Sequence, residues 1–327
     1  MPGLCGLENL GNTCYMNSVL QCLSHNEDLR NFYISQAFTK SLTENDNKVI
    51  SIEYYKLLNT IWNNDNGYIT PSNLHRVIMI FSMKFGNGEF RPGQQCDAHE
   101  FFNFFIDNLH NTIKKEVTAN IRGTVKNDLD NMAYEAMKNW KIFYEKEYSQ
   151  IVKLYTGQYC SVVSCSDDKV KNSYSYDPFN SLLLEIPDKR DITLYDCLDQ
   201  YTSHEKLTDY KDDGNRYYRK ITIFNLPKYL VISFKRFKGN NKISNFIDFP
   251  LDDLDLDKYY NGYQKNKWNY KLVAICNHEG GTGGGHYYAY VNYNSQWYNM
   301  NDRSVSNIHS DKVKTKNAYM LFYQKVE

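Results

Sequence analysis

No Cys-x-x-Cys pair occurs anywhere in the 327 residues, which removes the commonest signature of structural zinc. Cysteine itself is sparse: eight residues, at positions 5, 14, 22, 96, 160, 165, 197 and 276, scattered unlike a disulfide scaffold. No apolar run approaches the roughly 18 residues of a membrane span, so no membrane association is expected. The opening Met1-Pro2-Gly3-Leu4-Cys5-Gly6 lacks the basic stretch and apolar core of a secretory leader. Neither charge dominates, because 38 Lys and Arg balance 38 Asp and Glu. Without a block of one sign, nucleic acid is not an expected partner. The abundant Asn, Lys and Tyr read as compositional bias; they suit a unicellular eukaryote or a large virus infecting one, and carry no function.

What is present is a globular chain long enough for a large core, with a change of period near residue 151. Met16, Val19, Leu20 and Leu23 recur at helical spacing, with Thr13 as the expected cap and residues 9–12 as a loop. Further helices are predicted over 50–62, 71–81, 97–111 and 134–146. Beyond 151, short β-branched and aromatic segments predict strands at 152–155, 159–163, 181–186, 219–224, 229–237, 270–277, 286–292, 297–300 and 318–323. The 229–237 strand reads as well covered, with its polar end at a rim. Residues 191–200 predict a short helix, and the Asp/Asn runs at 209–215 and 251–261 read as solvated loops. The fold class is therefore α+β: a helical N-terminal portion followed by a mainly antiparallel β region.

Two residues on opposite sides of that boundary carry the chemistry. Cys14 lies in Gly11-Asn12-Thr13-Cys14-Tyr15, at a helix start where unpaired N–H groups favour a thiolate. Cys22 and Cys197 are expected to be buried and inert. His286 follows the run Gly280-Gly281-Thr282-Gly283-Gly284-Gly285, read as a mobile or closely approached loop, and opens a strand. A thiol and an imidazole make a nucleophile and its base, and either Asn301 or Asp302, one strand further on, can orient the ring. An amide only orients; a carboxylate also stabilises the imidazolium. Backbone N–H groups near Thr13 and Cys14, with the side-chain amide of Asn9, are the candidate oxyanion donors. Asn9 reads equally as a turn residue. A thiolate must stay reduced to attack, so an intracellular compartment, cytoplasmic or nuclear, is expected.

These residues sit in motifs that resemble the ubiquitin-specific protease family of papain-like cysteine hydrolases. Gly6-Leu7-Glu8-Asn9-Leu10-Gly11-Asn12-Thr13-Cys14-Tyr15-Met16-Asn17-Ser18-Val19-Leu20-Gln21 resembles the family's cysteine box. Asn277-His278-Glu279-Gly280, His286-Tyr287-Tyr288-Ala289-Tyr290, Trp297-Tyr298 and Asn301-Asp302 resemble its histidine box. Gln95-Cys96-Asp97-Ala98-His99-Glu100-Phe101 resembles an element lying between the two boxes. The resemblance implies a single right-hand domain over 1–327, with a helical thumb near 1–148, mainly β fingers over 149–235 and a β palm over 236–327. It implies Cys14 as nucleophile, His286 as base, Asn301 as third member, Asp302 as polar helper and Asn9 as oxyanion amide. Asp97 is implied to contact the ubiquitin tail, with Gln95, Gly285 and Tyr287 along the same channel. Tyr287, Tyr288 and Tyr290 are candidates for its roof, although strand alternation turns at least one into the core. The implied partners are ubiquitin and ubiquitinated proteins, and no cofactor is implied.

The departure from the family pattern lies in the fingers, where many relatives bind one zinc through two CxxC pairs. Cys165 matches the first position of the first pair, but Asp168 occupies the second and 206–217 contains no cysteine. Fingers without metal are expected, with Cys160 and Cys165 near each other only through a hairpin. The other functions compatible with the motifs are an inactive ubiquitin-binding scaffold and a protease for a ubiquitin-like modifier, separated by labelling with electrophilic modifier probes. Because only Asp302 brings negative charge to the imidazolium, Asp302→Ala is expected to cost at least as much kcat/KM as Asn301→Ala. Paired kinetic constants check this, and a silent Asp302→Ala contradicts it.

Overall fold

The computed structural model describes residues 1–326 except 44–46, 64–66, 87, 168, 209, 211–214, 240, 263–266 and 282, and excluding the Leu129 side chain. Its helices are α1 (Cys14–Ser24), α2 (Glu27–Ile34), α3 (Lys48–Asn63), α4 (Ser72–Phe85), α5 (Ala98–Ile113), α6 (Asp128–Lys146), α7 (Gln150–Tyr155) and α8 (Leu194–Tyr201). The principal strands are β1 (Gly6–Leu7), β2 (Tyr68–Ile69), β3 (Gly157–Cys165), β4 (Ser173–Phe179), β5 (Leu182–Leu184), β6 (Glu205–Leu207) and β7 (Tyr217–Asn225). They continue as β8 (Tyr229–Phe234), β9 (Asn269–Gly281), β10 (Gly284–Tyr293), β11 (Gln296–Asn301), β12 (Ser304–Ile308) and β13 (Ala318–Lys325). No helix among the described residues is long and apolar enough to cross a membrane.

The large sheet runs β12-β11-β10-β9-β13-β8-β5, antiparallel except for the parallel β5–β8 pair. Successive side chains point to opposite faces of a strand, and here both faces are covered. Met320 and Phe322 join the core shared with α1 and α5, whereas Leu321 and Tyr323 join a second core that includes Leu194 and Leu198 of α8. Double coverage explains why β8 is buried along its whole length. A smaller antiparallel sheet, β4-β3-β7-β6, packs with Ala136 of α6.

α1 has no solvent face: all eleven of its residues are buried. Buried polar side chains generally find partners, and those of α1 find at least one each, although Asn17 Oδ1 and Gln21 Oε1 accept no hydrogen bond. Gln21 Nε2 donates to Cys5 O at 2.7 Å, and Ser18 Oγ donates to Tyr15 O at 3.0 Å. Ser24 Oγ accepts from Trp62 Nε1 at 3.2 Å. α5 starts where Asp97 Oδ1 accepts from the N–H groups of His99 and Glu100, at 2.8 and 3.0 Å. Its Phe101, Phe102, Phe105, Ile106 and Leu109 then line a fully buried face. Cys22 and Cys197 are buried, as expected of inert thiols, and burial pushes the Cys197 thiol up to about 12.

Several elements differ from the sequence reading. Residues 152–155 belong to α7 instead of a strand: Ser149 Oγ caps it by accepting from Val152 N at 3.1 Å, and burial of Ile151, Val152, Leu154 and Tyr155 overrides their β propensity. The 229–237 strand ends at Phe234, and Arg236 is fully buried instead of lying at a rim. Its guanidinium donates to the carbonyls of Ala318, Ile243 and Asn245 at 2.7, 2.9 and 3.0 Å. The 251–261 run is not a solvated loop throughout, since Leu254, Leu256 and Tyr259 enter the second core. Most of the 209–215 run lies outside the described residues. Cys160 and Cys165 lie on one strand, β3, not across a hairpin, and five positions turn their side chains to opposite faces. Among the described residues no three His, Cys, Asp or Glu are grouped to hold a metal, and Asp168 lies outside those residues.

Phe105 is fully buried, edge-on to Tyr54 at 5.1 Å and stacked on Phe101 at 5.6 Å. Phe105→Ala is expected to cost about 3–5 kcal/mol of stability, read by denaturant unfolding; a loss below about 1 kcal/mol contradicts the packing described.

Candidate active site

The approach to α1 is a tight turn. Gly11 and Asn12 both adopt left-handed backbone, φ 97° and 57°, and Gly11 tolerates this without a Cβ penalty. Asn9 organises the turn: its Oδ1 accepts from the N–H groups of Gly11 and Thr13 at 3.0 and 3.1 Å. Thr13 occupies the N-cap position without capping, because its hydroxyl instead accepts from Leu10 N at 2.9 Å. The N–H groups that open α1 thus lack a side-chain cap, and the helix start is electropositive at Cys14. The Thr13 N–H is already spent on Asn9, which leaves that of Cys14 as the nearest backbone donor. Cys14 is 4% exposed.

His286 reaches Cys14 from the sheet, on which α1 lies against β9 and β10. Its Nε2 lies 2.6 Å from Asn301 Oδ1 and 4.0 Å from Asp302 Oδ2. With Nε2–H donated to the amide oxygen, Nδ1 is the ring nitrogen left to meet the thiol. The hydrogen bond with Cys14 is the leading reason that the imidazole is pushed up to about 9; burial opposes it, and Asn301 and the Asp302 charge reinforce it. His278, also in the histidine box, goes the other way, down to about 4, through burial and the nearby cations Lys242 and His286.

Asp302 serves the thiol side of the cleft more than the ring. Its backbone is left-handed, φ 47°, and its carbonyl accepts from Leu7 N at 2.8 Å. Its carboxylate accepts from Asn9 Nδ2 at 2.9 Å and from Asn17 Nδ2 at 2.8 Å. Asn9 is therefore both the turn residue and an amide aimed into the site. Sequence reasoning assigned nothing to Asn17; the available signal was a polar residue within the apolar pattern of α1.

The remaining residues fall unevenly. The glycine run is not a loose loop: β9 and β10 pair through Gly280↔Gly285 and Gly281↔Gly284, and Thr282 lies outside the described residues. Gly285 is demanded by close approach, because a Cβ there would stand 2.2 Å from His278 Nε2. Gln95 Nε2 donates to Gly285 O at 3.3 Å and bridges the α5 side of the cleft to this hairpin. Asp97 is half-buried with both oxygens engaged: Oδ1 caps α5 and Oδ2 accepts from Tyr319 OH. Tyr287 belongs to the core shared with α1 and α5. It is 7% exposed, packed on His278 at 4.4 Å and Tyr319 at 5.8 Å. Tyr288 and Tyr290 enter the opposite core, which follows from the double coverage of the sheet.

The fold is an α+β arrangement with cysteine on a helix and histidine on an antiparallel sheet, and comparison with known proteins defines its class. The family model described as ubiquitin carboxyl-terminal hydrolase matches residues 5–323, and the chain belongs to that family. It is 35% identical over 342 residues to human ubiquitin carboxyl-terminal hydrolase 2, covering 98% of this chain and 55% of that protein. To ubiquitin carboxyl-terminal hydrolase 21 of Homo sapiens it is 28% identical over 354 residues, 98% of this chain and 61% of that protein. The chain thus spans a little over half the length of these relatives. A solved structure of the yeast SAGA DUB module superposes with TM-score 0.77 at 27% identity, covering 100% of this chain and 69% of that one. A SAGA DUB module of Ubp8, Sgf11, Sus1 and Sgf73 bound to ubiquitin aldehyde matches with TM-score 0.77 at 26% identity, covering 100% and 70%.

Because the Cys14 contact is the first cause of the raised His286 value, Cys14→Ala is expected to return the imidazole midpoint from about 9 toward the ordinary histidine range near 6.5. The sign for stability follows: a folded value above the unfolded one stabilises fully below about pH 6.5, and the contribution fades as pH rises through about 9. Imidazole NMR titration of the wild type and variant checks this; an identical midpoint in both contradicts it.

Proposed function

We propose that this chain is a cysteine-dependent deubiquitinase that cleaves the peptide or isopeptide bond after the C-terminal glycine of ubiquitin. The observation that carries the reading is the Cys14–His286 contact, backed by Asn301 at 2.6 Å, in a member of the ubiquitin carboxyl-terminal hydrolase family. The similar fold of a module bound to ubiquitin aldehyde supports the choice of substrate.

The steps follow from the geometry. Cys14 passes its proton to His286 Nδ1, and sulfur attacks the glycine carbonyl carbon. The carbonyl oxygen becomes an oxyanion, stabilised by the second Asn9 Nδ2 hydrogen and the Cys14 N–H. Collapse breaks the C–N bond, and His286 returns the proton to the departing amine. The thioester is then hydrolysed by a water whose proton goes to His286, which restores the thiol and frees the ubiquitin carboxylate. Asn301 holds the ring so that Nδ1 faces sulfur, and the Asp302 charge steadies the imidazolium from 4.0 Å.

The substrate tail runs along the Gly285 hairpin, whose lack of side chains suits a di-glycine tether, and displaces the Gln95–Gly285 hydrogen bond as it enters. Asp97 contributes a fixed charge at this slot more than a free ligand, and exposed Glu100 beside it is the carboxylate open to a tail arginine. The helical portion acts as thumb, the large sheet as palm and the β4-β3-β7-β6 sheet as fingers, with β5 and β8 joining the palm. Ubiquitin and ubiquitinated proteins are the partners, in a reducing cytoplasmic or nuclear setting that keeps Cys14 a thiol.

Turnover of ubiquitin carrying a fluorogenic C-terminal leaving group is expected for the wild type and is lost by at least about 10³-fold in Cys14→Ala. An inactive wild type, or undiminished turnover by the variant, rejects the reading.

A further inference from the structure

Asn17 stands on the fourth position of α1, 2% exposed, where a helix packed on all sides would favour an apolar residue. Its Nδ2 donates to Asp302 Oδ1 at 2.8 Å and to the carbonyls of Leu7 and Glu8 at 3.2 and 3.3 Å. The other carboxylate oxygen, Oδ2, accepts from Asn9 Nδ2 at 2.9 Å. A carboxylate is a rigid plane, so a donor that fixes one oxygen also fixes the direction in which the other points. Asn17 also tethers the two residues immediately before Asn9.

We infer that Asn17 is a positioning residue for the oxyanion amide: it sets the Asp302 carboxylate, and the carboxylate sets Asn9. This rests on the proposed role of Asn9 in hydrolysis. The chain of contacts bypasses the base, because His286 takes its direct bond from Asn301 while Asp302 stands 4.0 Å away. Losing Asn17 leaves the Asp302 charge in place, and the Leu7 N–H still holds the Asp302 main chain. Asn17 therefore acts on stabilisation of the tetrahedral intermediate and leaves the thiol–imidazole pair intact, and the two effects can be read separately.

The test is a double-mutant cycle of Asn17→Ala and Asn9→Ala, read as kcat and KM with fluorogenic ubiquitin. Alongside it, the alkylation rate of Cys14 by iodoacetamide is followed across pH. Asn17→Ala is expected to lower kcat about 10²-fold with KM within about threefold, the size of losing one oxyanion donor. Adding it to Asn9→Ala lowers kcat no further, because both act through one interaction. The alkylation profile of Asn17→Ala stays within about twofold of wild type. If the alanine variant does not fold, as judged by its thermal melt, the near-isosteric Asn17→Leu fills the same space without a donor and carries the same cycle with the same expectations. Multiplicative losses in the cycle, or an alkylation profile displaced along with kcat, overturn the inference and leave the functional reading standing. A wild type that alkylates at Cys14 but does not turn over ubiquitin removes the functional reading and this inference with it.

Discussion

One residue fastens the two halves of this molecule at the place where they must meet. Asp302 takes the Leu7 N–H on its carbonyl and the amides of Asn9 and Asn17 on its carboxylate, and its neighbour Asn301 holds the His286 ring. Hydrogen bonds to a charged group are worth about 1.5–3 kcal/mol each, so two of them on a largely buried carboxylate outweigh the nearby exposed Glu8–Arg303 pair, which solvent screens. The left-handed backbone at Asp302 turns the chain from β11 into β12 and lets carbonyl and carboxylate serve opposite directions. The packing of α1 on β9 and β10 brings sulfur and imidazole together, and this seam sets the amides around them.

The rest of the architecture supplies rigidity on either side. Covering both faces of the large sheet fixes β10, and hence His286, between two cores instead of leaving one face to solvent. The glycine run pairs almost to its tip, so the closeness of His278 to Gly285, not loop freedom, explains the lack of a side chain there. On the facing wall, Asp97 ties the start of α5 to Tyr319 of the sheet, and Gln95 spans the gap to Gly285. The outcome is two pre-set walls joined by the Gln95–Gly285 hydrogen bond, with an electropositive helix start nearby.

Much of the site was legible because its signals are local. A glycine-flanked cysteine before a helical period, and a glycine-flanked histidine before a strand, need only neighbouring residues to be read. Asn9, Asn301 and Asp302 were found through their spacing within motifs. What stayed hidden depends on distant partners. Asn17 reads as a polar interruption until Asp302 arrives from 285 residues away. Tyr288 and Tyr290 read as rim aromatics until the second core shows that the sheet has no open face. Arg236 reads as a polar strand end until three carbonyls from later segments surround it. α7 reads as a strand because Ile151, Val152 and Tyr155 are β-branched or aromatic, and only Ser149 and tertiary burial decide against that.

The central claim is that a sulfur on α1 and an imidazole on β10 stand in working contact, with the Asp302 seam setting the amides beside them. The most direct measurement is a crystal structure of the covalent adduct between Cys14 and a C-terminally electrophilic ubiquitin. The account predicts His286 Nδ1 facing the modified sulfur, Nε2 on Asn301, and Asp302 holding both Asn9 and Asn17. An adduct in which the ring stands away from sulfur, or in which Asp302 has released both amides, contradicts it.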